Sequence, residues 1–273
     1  KDANRSTISK TRIVAGGRTT VSQQIVRVDK ESKEPMGKAQ EQQLEEYLKQ
    51  VLPQVKGVVL SDYGSGTITD KLLGQIFAYC QEHNIPTIVD SRYDILRFKT
   101  VDYIKQNDAE LSAAIGRDLA TEEELVQGGC ELLVKMSAKG ALITRGEDGM
   151  SLFQIISPQE AADYLKSQEV SGSGEAGQFR EGLTVKLVVK RQTGRLSVVQ
   201  ELISYQDRDI LVSHIPVTDK SEVYDVSGAG DTCVATVILG LAAGLEPLLA
   251  CQLSNEASGI AVRKMGTSVV YAR

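Results

Sequence analysis

The chain has 273 residues, 41% hydrophobic and 25% charged, enough to bury a sizeable core in one α/β domain with at most a small appendage. Its formal charge of -5 argues against a nucleic-acid surface while leaving room for a local cationic pocket for phosphates. The apolar run Val234 to Ala243 is too short to cross a bilayer, the polar start KDANRSTISKTR has no signal-peptide core, and Cys80, Cys130, Cys233 and Cys251 lack disulfide or zinc spacing, so a soluble, cytoplasmic protein with reduced thiols is expected.

In chain order, two extended stretches, Thr11 to Ala15 and Gln23 to Asp29, flank GGRTT and predict a β-hairpin. Alternation puts Ile25, Arg27 and Asp29 on one face and Val26 and Val28 on the other. From Gly37 the period becomes helical, with Leu44, Tyr47, Leu48, Val51 and Leu52 on one face, and the strand Val58-Val59-Leu60 follows. The cycle repeats: a helix through Leu72, Ile76 and Cys80 leads to the strand Thr87-Ile88-Val89, which ends at Asp90. A helix from about Thr121 to Met136 precedes the strand Ala141 to Thr144, and two helices are expected near 229–243 and 246–264. Such alternation implies a mainly parallel sheet covered by helices on both faces. Ligands bind outside the carboxyl ends of such strands, which makes Asp62, Asp90, Asn107 and Arg145 candidate site residues.

The segment from about 154 to 208 breaks this rhythm with a candidate helix, a glycine-rich loop and the hairpin pattern LTVKLVVKRQTGRLSVVQELIS. It is expected as a surface insertion. Gly172, Gly174 and Gly177 there spell G-x-G-x-x-G, but no strand precedes them and no helix start follows, so the dinucleotide reading fails its context and a surface loop is expected. His83 and His214, each beside a loop or proline, read as structural or solvent-facing.

The strongest signal is DVSGAGDT at 225–232, followed at once by the helix-forming run CVATVILGLAAG. Gly228 and Gly230 let the backbone turn tightly, and a helix starting here aims unpaired N–H groups and its positive dipole end at whatever sits above. Asp231, in the first turn, is a carboxylate at neutral pH placed to take a proton from an attacking hydroxyl. The same four residues, Gly-Ala-Gly-Asp, read equally well as a turn and helix cap.

With its surroundings, this stretch resembles the C-terminal signature of the PfkB family of carbohydrate kinases, whose fold is ribokinase-like, a Rossmann-like, mainly parallel α/β sheet flanked by helices, with a small β lid. The resemblance implies that Asp231 is the catalytic base and that Gly228, Ala229 and Gly230 form the anion hole for the γ-phosphate. QNDAEL at 106–111 resembles the family's Asn-x-x-Glu motif, implying that Asn107 and Glu110 help hold ATP phosphates, with Glu110 serving Mg²⁺; taken alone, Glu110 reads as a first-turn helix glutamate. ALITRGEDGMSLF places Thr144 and Gly146 near the phosphates, and QLSNEASGIAVRKMGTSVV makes Asn255 a base-edge contact, or else a polar residue on a solvent-facing side.

TRIVAGG, QQIVRVDKE, VVLSDYGSG and KMGTS are most similar to the bacterial heptose-7-phosphate kinase branch of that family. By that resemblance residues 1–36 form the lid and 37–273 the nucleotide-binding core, and Lys10, Arg12 and Arg27 on the lid are candidates to meet a phosphate already on the sugar. Basic residues on an edge strand also discourage aggregation, an equal reading for Lys10. Asp62, in the SDY segment, is a substrate candidate that could equally cap a turn. The family alone suggests that the lid pairs with that of a second subunit. The family's N-terminal portion, with its sugar-binding carboxylate, has no counterpart before Lys1, and no proline follows Asp90-Ser91-Arg92. The expectation is an ATP- and Mg²⁺-dependent kinase of a sugar or sugar phosphate. Two alternatives are a PfkB kinase for another sugar or nucleoside and a non-catalytic sensor on a degenerate kinase fold.

Overall fold

The computed structural model describes residues 5–16, 23–32, 34–171, 174–176, 179–180, 182–193, 196–218, 225–264 and 266–271. Strands Ser9–Ala15 (β1) and Gln23–Lys30 (β2) pair antiparallel as a separate two-stranded sheet. Lys10 opposes Asp29 and Arg12 opposes Arg27. Opposed side chains share a face, so this is the polar side of the hairpin; Ile13, Val26 and Val28 on the other side are exposed.

Helix Lys38–Val51 (α1) leads to strand Val58–Asp62 (β3), then helix Asp70–Glu82 (α2), strand Thr87–Ser91 (β4) and strand Tyr103–Asn107 (β5). Helices Asp108–Ile115 (α3) and Glu122–Met136 (α4) precede strands Gly140–Thr144 (β6) and Met150–Ile156 (β7). Thr121 starts α4 with a capping box: its hydroxyl accepts from Glu124 N–H while the Glu124 carboxylate accepts from Thr121 N–H. After helix Pro158–Ser171 (α5) come strands Gly174–Ala176 (β8), Phe179–Arg180 (β9), Leu183–Thr193 (β10), Leu196–Tyr205 (β11) and Arg208–Ile215 (β12). Helices Ala229–Ala242 (α6) and Pro247–Ala261 (α7) are the last two elements among the described residues.

The main sheet has ten strands in the order β3-β4-β5-β6-β7-β12-β11-β10-β8, with β9 beside β10. The α/β class read from the sequence holds, and β3 to β6 pair parallel. From β6 onward every pairing is antiparallel: short hairpins join β6 to β7, β10 to β11 and β11 to β12, and β12 returns to pair with β7. One such turn is Gln206-Asp207, both residues at positive φ (46° and 60°), the backbone that matches the twist of two adjoining strands.

Two apolar clusters sandwich the sheet. One joins α2 and α4 to the sheet through Leu73, Val126, Leu133, Ile143, Phe153 and Ile203. The other packs α6 and α7 against it through Ile88, Leu142, Leu152, Val234, Val237 and Cys251. The four cysteines are free and buried. No helix among the described residues is long and apolar enough to cross a membrane.

The segment expected as a surface insertion at about 154–208 is built differently. β10, β11 and β12 continue the main sheet, and Leu183, Val185, Ile203 and Val212 are buried in the first cluster. The period-2 pattern gave the strands correctly, but an alternating strand does not state which sheet it joins. Gly172 and Gly177 of the glycine pattern lie outside the described residues.

Candidate active site

The DVSGAGDT turn is fixed by its first residue. Asp225 Oδ1 accepts from Ser227 N–H at 2.8 Å and Oδ2 from Gly266 N–H at 3.0 Å, tying the turn to the loop after α7. Hydrogen bonds from Ser227, with smaller help from Gly266 and the Arg12 charge, hold the Asp225 carboxyl below its usual range. Gly228 then takes φ 82°, ψ 1°, a left-handed conformation open to glycine at little cost. α6 begins immediately, and its first internal bond runs from Thr232 N–H to Gly228 O at 2.9 Å. Earlier amides have no intrahelical partner by geometry; that of Ala229 donates to Val226 O at 3.2 Å. Asp231 is exposed in this first turn.

Beneath the turn lies a buried ion pair between neighbouring strands. Lys105 Nζ on β5 meets Asp90 Oδ2 on β4 at 3.1 Å, with side chains 7% and 16% exposed. A Cβ placed on Gly230 would lie 3.1 Å from Lys105 Nζ and 4.0 Å from Asp90 Oδ2, so the glycine lets helix and ion pair approach. Burial disfavours the Lys105 ammonium, but the Asp90 and Glu110 carboxylates outweigh it and its pKa rises. Burial pushes Asp90 up against the opposing pull of Lys105. Sequence reasoning missed Lys105; its signal was a lysine inside the strand YIKQN, where a parallel sheet is buried on both faces.

Lys105 and the start of α6 border a cavity of about 790 Å³, within the size range of small-molecule sites. Ala229, Gly230, Asn107, Thr144, Gly146 and Asn255 all line it, bringing together most of the nucleotide-side candidates. Asn107 and Glu110 close a capping box at α3: Glu110 N–H donates to Asn107 Oδ1 at 2.7 Å, and Asn107 N–H to Glu110 Oε2 at 2.9 Å. The helix-terminus reading of Glu110 therefore holds, and a ligand role would be additional to it. Asn255 is buried, not solvent-facing, and its amide donates to Pro216 O at 2.6 Å. Thr144 Oγ1 donates to Gln106 O at 3.4 Å.

Other strand-end candidates are placed elsewhere. Arg145 turns to Glu122 at 3.0 Å and Ser151 at 3.4 Å. Asp62, 5% exposed, accepts from Ser91 Oγ at 3.0 Å and Gly64 N–H at 3.1 Å, the turn-capping arrangement. On the hairpin, Arg27 forks onto both oxygens of Asp29 at 2.8 Å, and Lys10 pairs with Glu31 at 3.1 Å. Arg12 shares their face, and its charge adds slightly to the lowering of the Asp225 pKa. The histidines fill structural places: His83 stacks on Tyr79, and His214 Nδ1 lies 3.0 Å from Ser151 Oγ.

Among the described residues no group of three or more His, Cys, Asp or Glu is arranged to hold a metal ion. The donor set fits a nucleotide better than a protein-caged metal: helix-start amides, one buried ammonium and hydroxyl or amide side chains around one cavity.

Comparison with known proteins agrees with this geometry. The pfkB family carbohydrate kinase model matches residues 7–170 and 202–271, omitting the stretch that forms β8, β9, β10 and the start of β11. The chain is 32% identical over 271 residues to bifunctional protein HldE of Geobacter metallireducens and 32% identical over 269 residues to that of Hyphomonas neptunium. It aligns over 99% and 98% of its own length and spans 43% of theirs. Among solved structures, Escherichia coli phosphofructokinase-2 in complex with potassium superposes with a TM-score of 0.54 at 18% identity, covering 91% of this chain and 62% of that one. Arabidopsis thaliana ribokinase complexed with ribose and ATP gives 0.53 at 16% identity, covering 94% and 64%; at such identity these likenesses show the ribokinase-like fold. With the family model matched on both sides of the sheet-edge strands, the chain belongs to the pfkB family of carbohydrate kinases.

Proposed function

We propose that this protein transfers the terminal phosphoryl group of ATP to a hydroxyl of a sugar that already carries a phosphate, a heptose 7-phosphate. The observation that carries the reading is the start of α6, with Asp231 in its first turn, whose Ala229 and Gly230 border one nucleotide-sized cavity together with the buried Lys105 ammonium. Phosphoryl transfer asks a protein for positioning and charge stabilisation more than for covalent chemistry. Asp231 takes the proton of the acceptor hydroxyl as its oxygen attacks. The amides of the Gly228–Gly230 turn and the Lys105 ammonium hold the negative charge of the transferring group. Asn107 and Thr144 position the phosphates, and Gly146 and Asn255 border the rest of the nucleotide. Mg²⁺, when bound, would neutralise phosphate charge, reached through water from the Glu110 carboxylate.

Acceptor choice rests on the hairpin. Lys10, Arg12 and Arg27 on its polar face supply the cationic donors that a sugar phosphate requires, with Asp62 on the core side. The segments TRIVAGG, QQIVRVDKE and VVLSDYGSG, similar to the heptose kinase branch, favour the seven-carbon sugar. The deciding experiment measures ATP consumption by the full-length protein with heptose 7-phosphate beside unphosphorylated sugars. Turnover confined to the phosphorylated sugar is expected, and Asp231→Asn should lower kcat by about 10²- to 10⁴-fold with ATP binding nearly unchanged. ATP binding without consumption on any sugar would replace the kinase reading with that of a nucleotide sensor.

A further inference from the structure

Two-stranded ribbons are marginally stable by themselves, so what seats the β1–β2 hairpin decides where its cations stand. Three ties converge on the short turn after β3. The Arg5 guanidinium, ahead of β1, donates to Ser65 O; Met36 N–H, beyond β2, donates to Gly66 O at 3.2 Å; and Lys10 Nζ, on β1 itself, stands 4.8 Å from the centroid of the Tyr63 ring. That turn is itself anchored in the catalytic half of the sheet. Asp62 holds Gly64 N–H and Ser91 Oγ, and Arg92 N–H donates to Asp62 O at 3.0 Å.

Burial raises the phenol pKa of Tyr63, and the Asp231 and Asp90 carboxylates raise it further. We propose that Tyr63 is a positioning residue, whose ring face receives the Lys10 ammonium and so seats the hairpin's polar side over the acceptor site. Lys10 thereby holds the strand that carries Arg12, and opposes the strand that carries Arg27, in register with the sugar phosphate. No described hairpin residue lines the nucleotide cavity, so the effect belongs to the sugar and not to ATP. This reading of turnover rests on the kinase function proposed above; the seating of the hairpin does not.

The test uses the full-length protein with Tyr63→Leu, Tyr63→Phe, Lys10→Met and the Lys10→Met/Tyr63→Leu pair. A cation–π contact of ordinary strength corresponds to about a three- to tenfold rise in KM for the sugar phosphate in Tyr63→Leu, with kcat and the KM for ATP little changed. Tyr63→Phe, which keeps the ring, should recover most of that loss. In the Lys10→Met background the leucine change should add nothing, because the contact it removes is already gone. Hydrogen exchange of the β1 and β2 amides should speed up in Tyr63→Leu and Lys10→Met but not in Tyr63→Phe. Equal behaviour of Leu and Phe at position 63, additive effects in the pair, or unchanged β1 and β2 exchange in Tyr63→Leu would each overturn the proposal. If the native protein transfers no phosphoryl group, the kinase reading fails, while the exchange measurement still decides the seating.

Discussion

In the half of the sheet from β3 to β6, polar side chains gather at the strand ends: Asp62, Asp90, Lys105, Asn107 and Thr144 all stand at or near carboxyl termini. In the half from β7 to β12 they meet within the sheet instead. Gln200 Nε2 donates to Ser213 Oγ at 2.8 Å between β11 and β12, and Tyr164 Oη on α5 donates to Gln200 Oε1 at 3.2 Å. The cause is strand direction. Parallel strands all finish on one side, where their last residues and the starts of the following helices converge, whereas antiparallel strands finish alternately on opposite sides and scatter theirs. The family model skips residues 171–201, which belong to the antiparallel half. One half can therefore bear chemistry and the other mainly cohesion.

The sharpest way to break that division is Asp231→Asn, with the 10²- to 10⁴-fold loss of kcat given above and no matching loss of stability. Next comes Lys105→Met, which leaves Asp90 buried without its counter-charge. A destabilisation of about 3–5 kcal/mol is expected in urea unfolding, with weakened ATP binding. Adding Asp90→Asn should recover much of the stability and little of the turnover. In the other half, Ile203→Ala opens a hole in the first apolar cluster and should cost about 2–5 kcal/mol while leaving ATP affinity unchanged by calorimetry. A large fall in ATP affinity there would mean that the two halves are coupled.

The smallest effect concerns acid. Because the folded Asp225 carboxyl is depressed, its contribution is present above its unfolded pKa of about 3.9 and is lost as pH falls through the lower folded value. Asp225→Ala should flatten the acid limb of the stability profile, measured by urea midpoints from about pH 5 downward. An acid limb as steep as the native one would mean that Asp225 does not tie the glycine turn to the loop at Gly266.

What could be read without coordinates followed the same division. The parallel half announces itself through helical periods closed by β-branched strands, and its glycine turn through residue types with few other uses. Helices expected near 229–243 and 246–264 are found at Ala229–Ala242 and Pro247–Ala261. Lys105 is not legible in the sequence, because one charge in a short strand looks like a solvated edge until the neighbouring strand supplies Asp90. The sequence offers Asn255 a base edge or solvent, and neither accounts for its bond to the Pro216 carbonyl, which depends on how α7 crosses the end of β12. The alternation of β10 and β11 was visible, but partnership between strands is a long-range property that a local period does not carry.

The 3.1 Å between Lys105 Nζ and the place a Cβ would occupy on Gly230 also bears on how such a sequence can drift. Gly230 has no left-handed backbone to require glycine; what crowds a Cβ there is an ammonium 125 positions earlier in the chain. An alanine there asks the Lys105 ammonium to give way by a few tenths of an ångström, and the lysine is free to change only if Asp90 changes with it. Three positions on β4, β5 and α6 are thus bound into one unit of inheritance, whose members should be found to vary together or not at all.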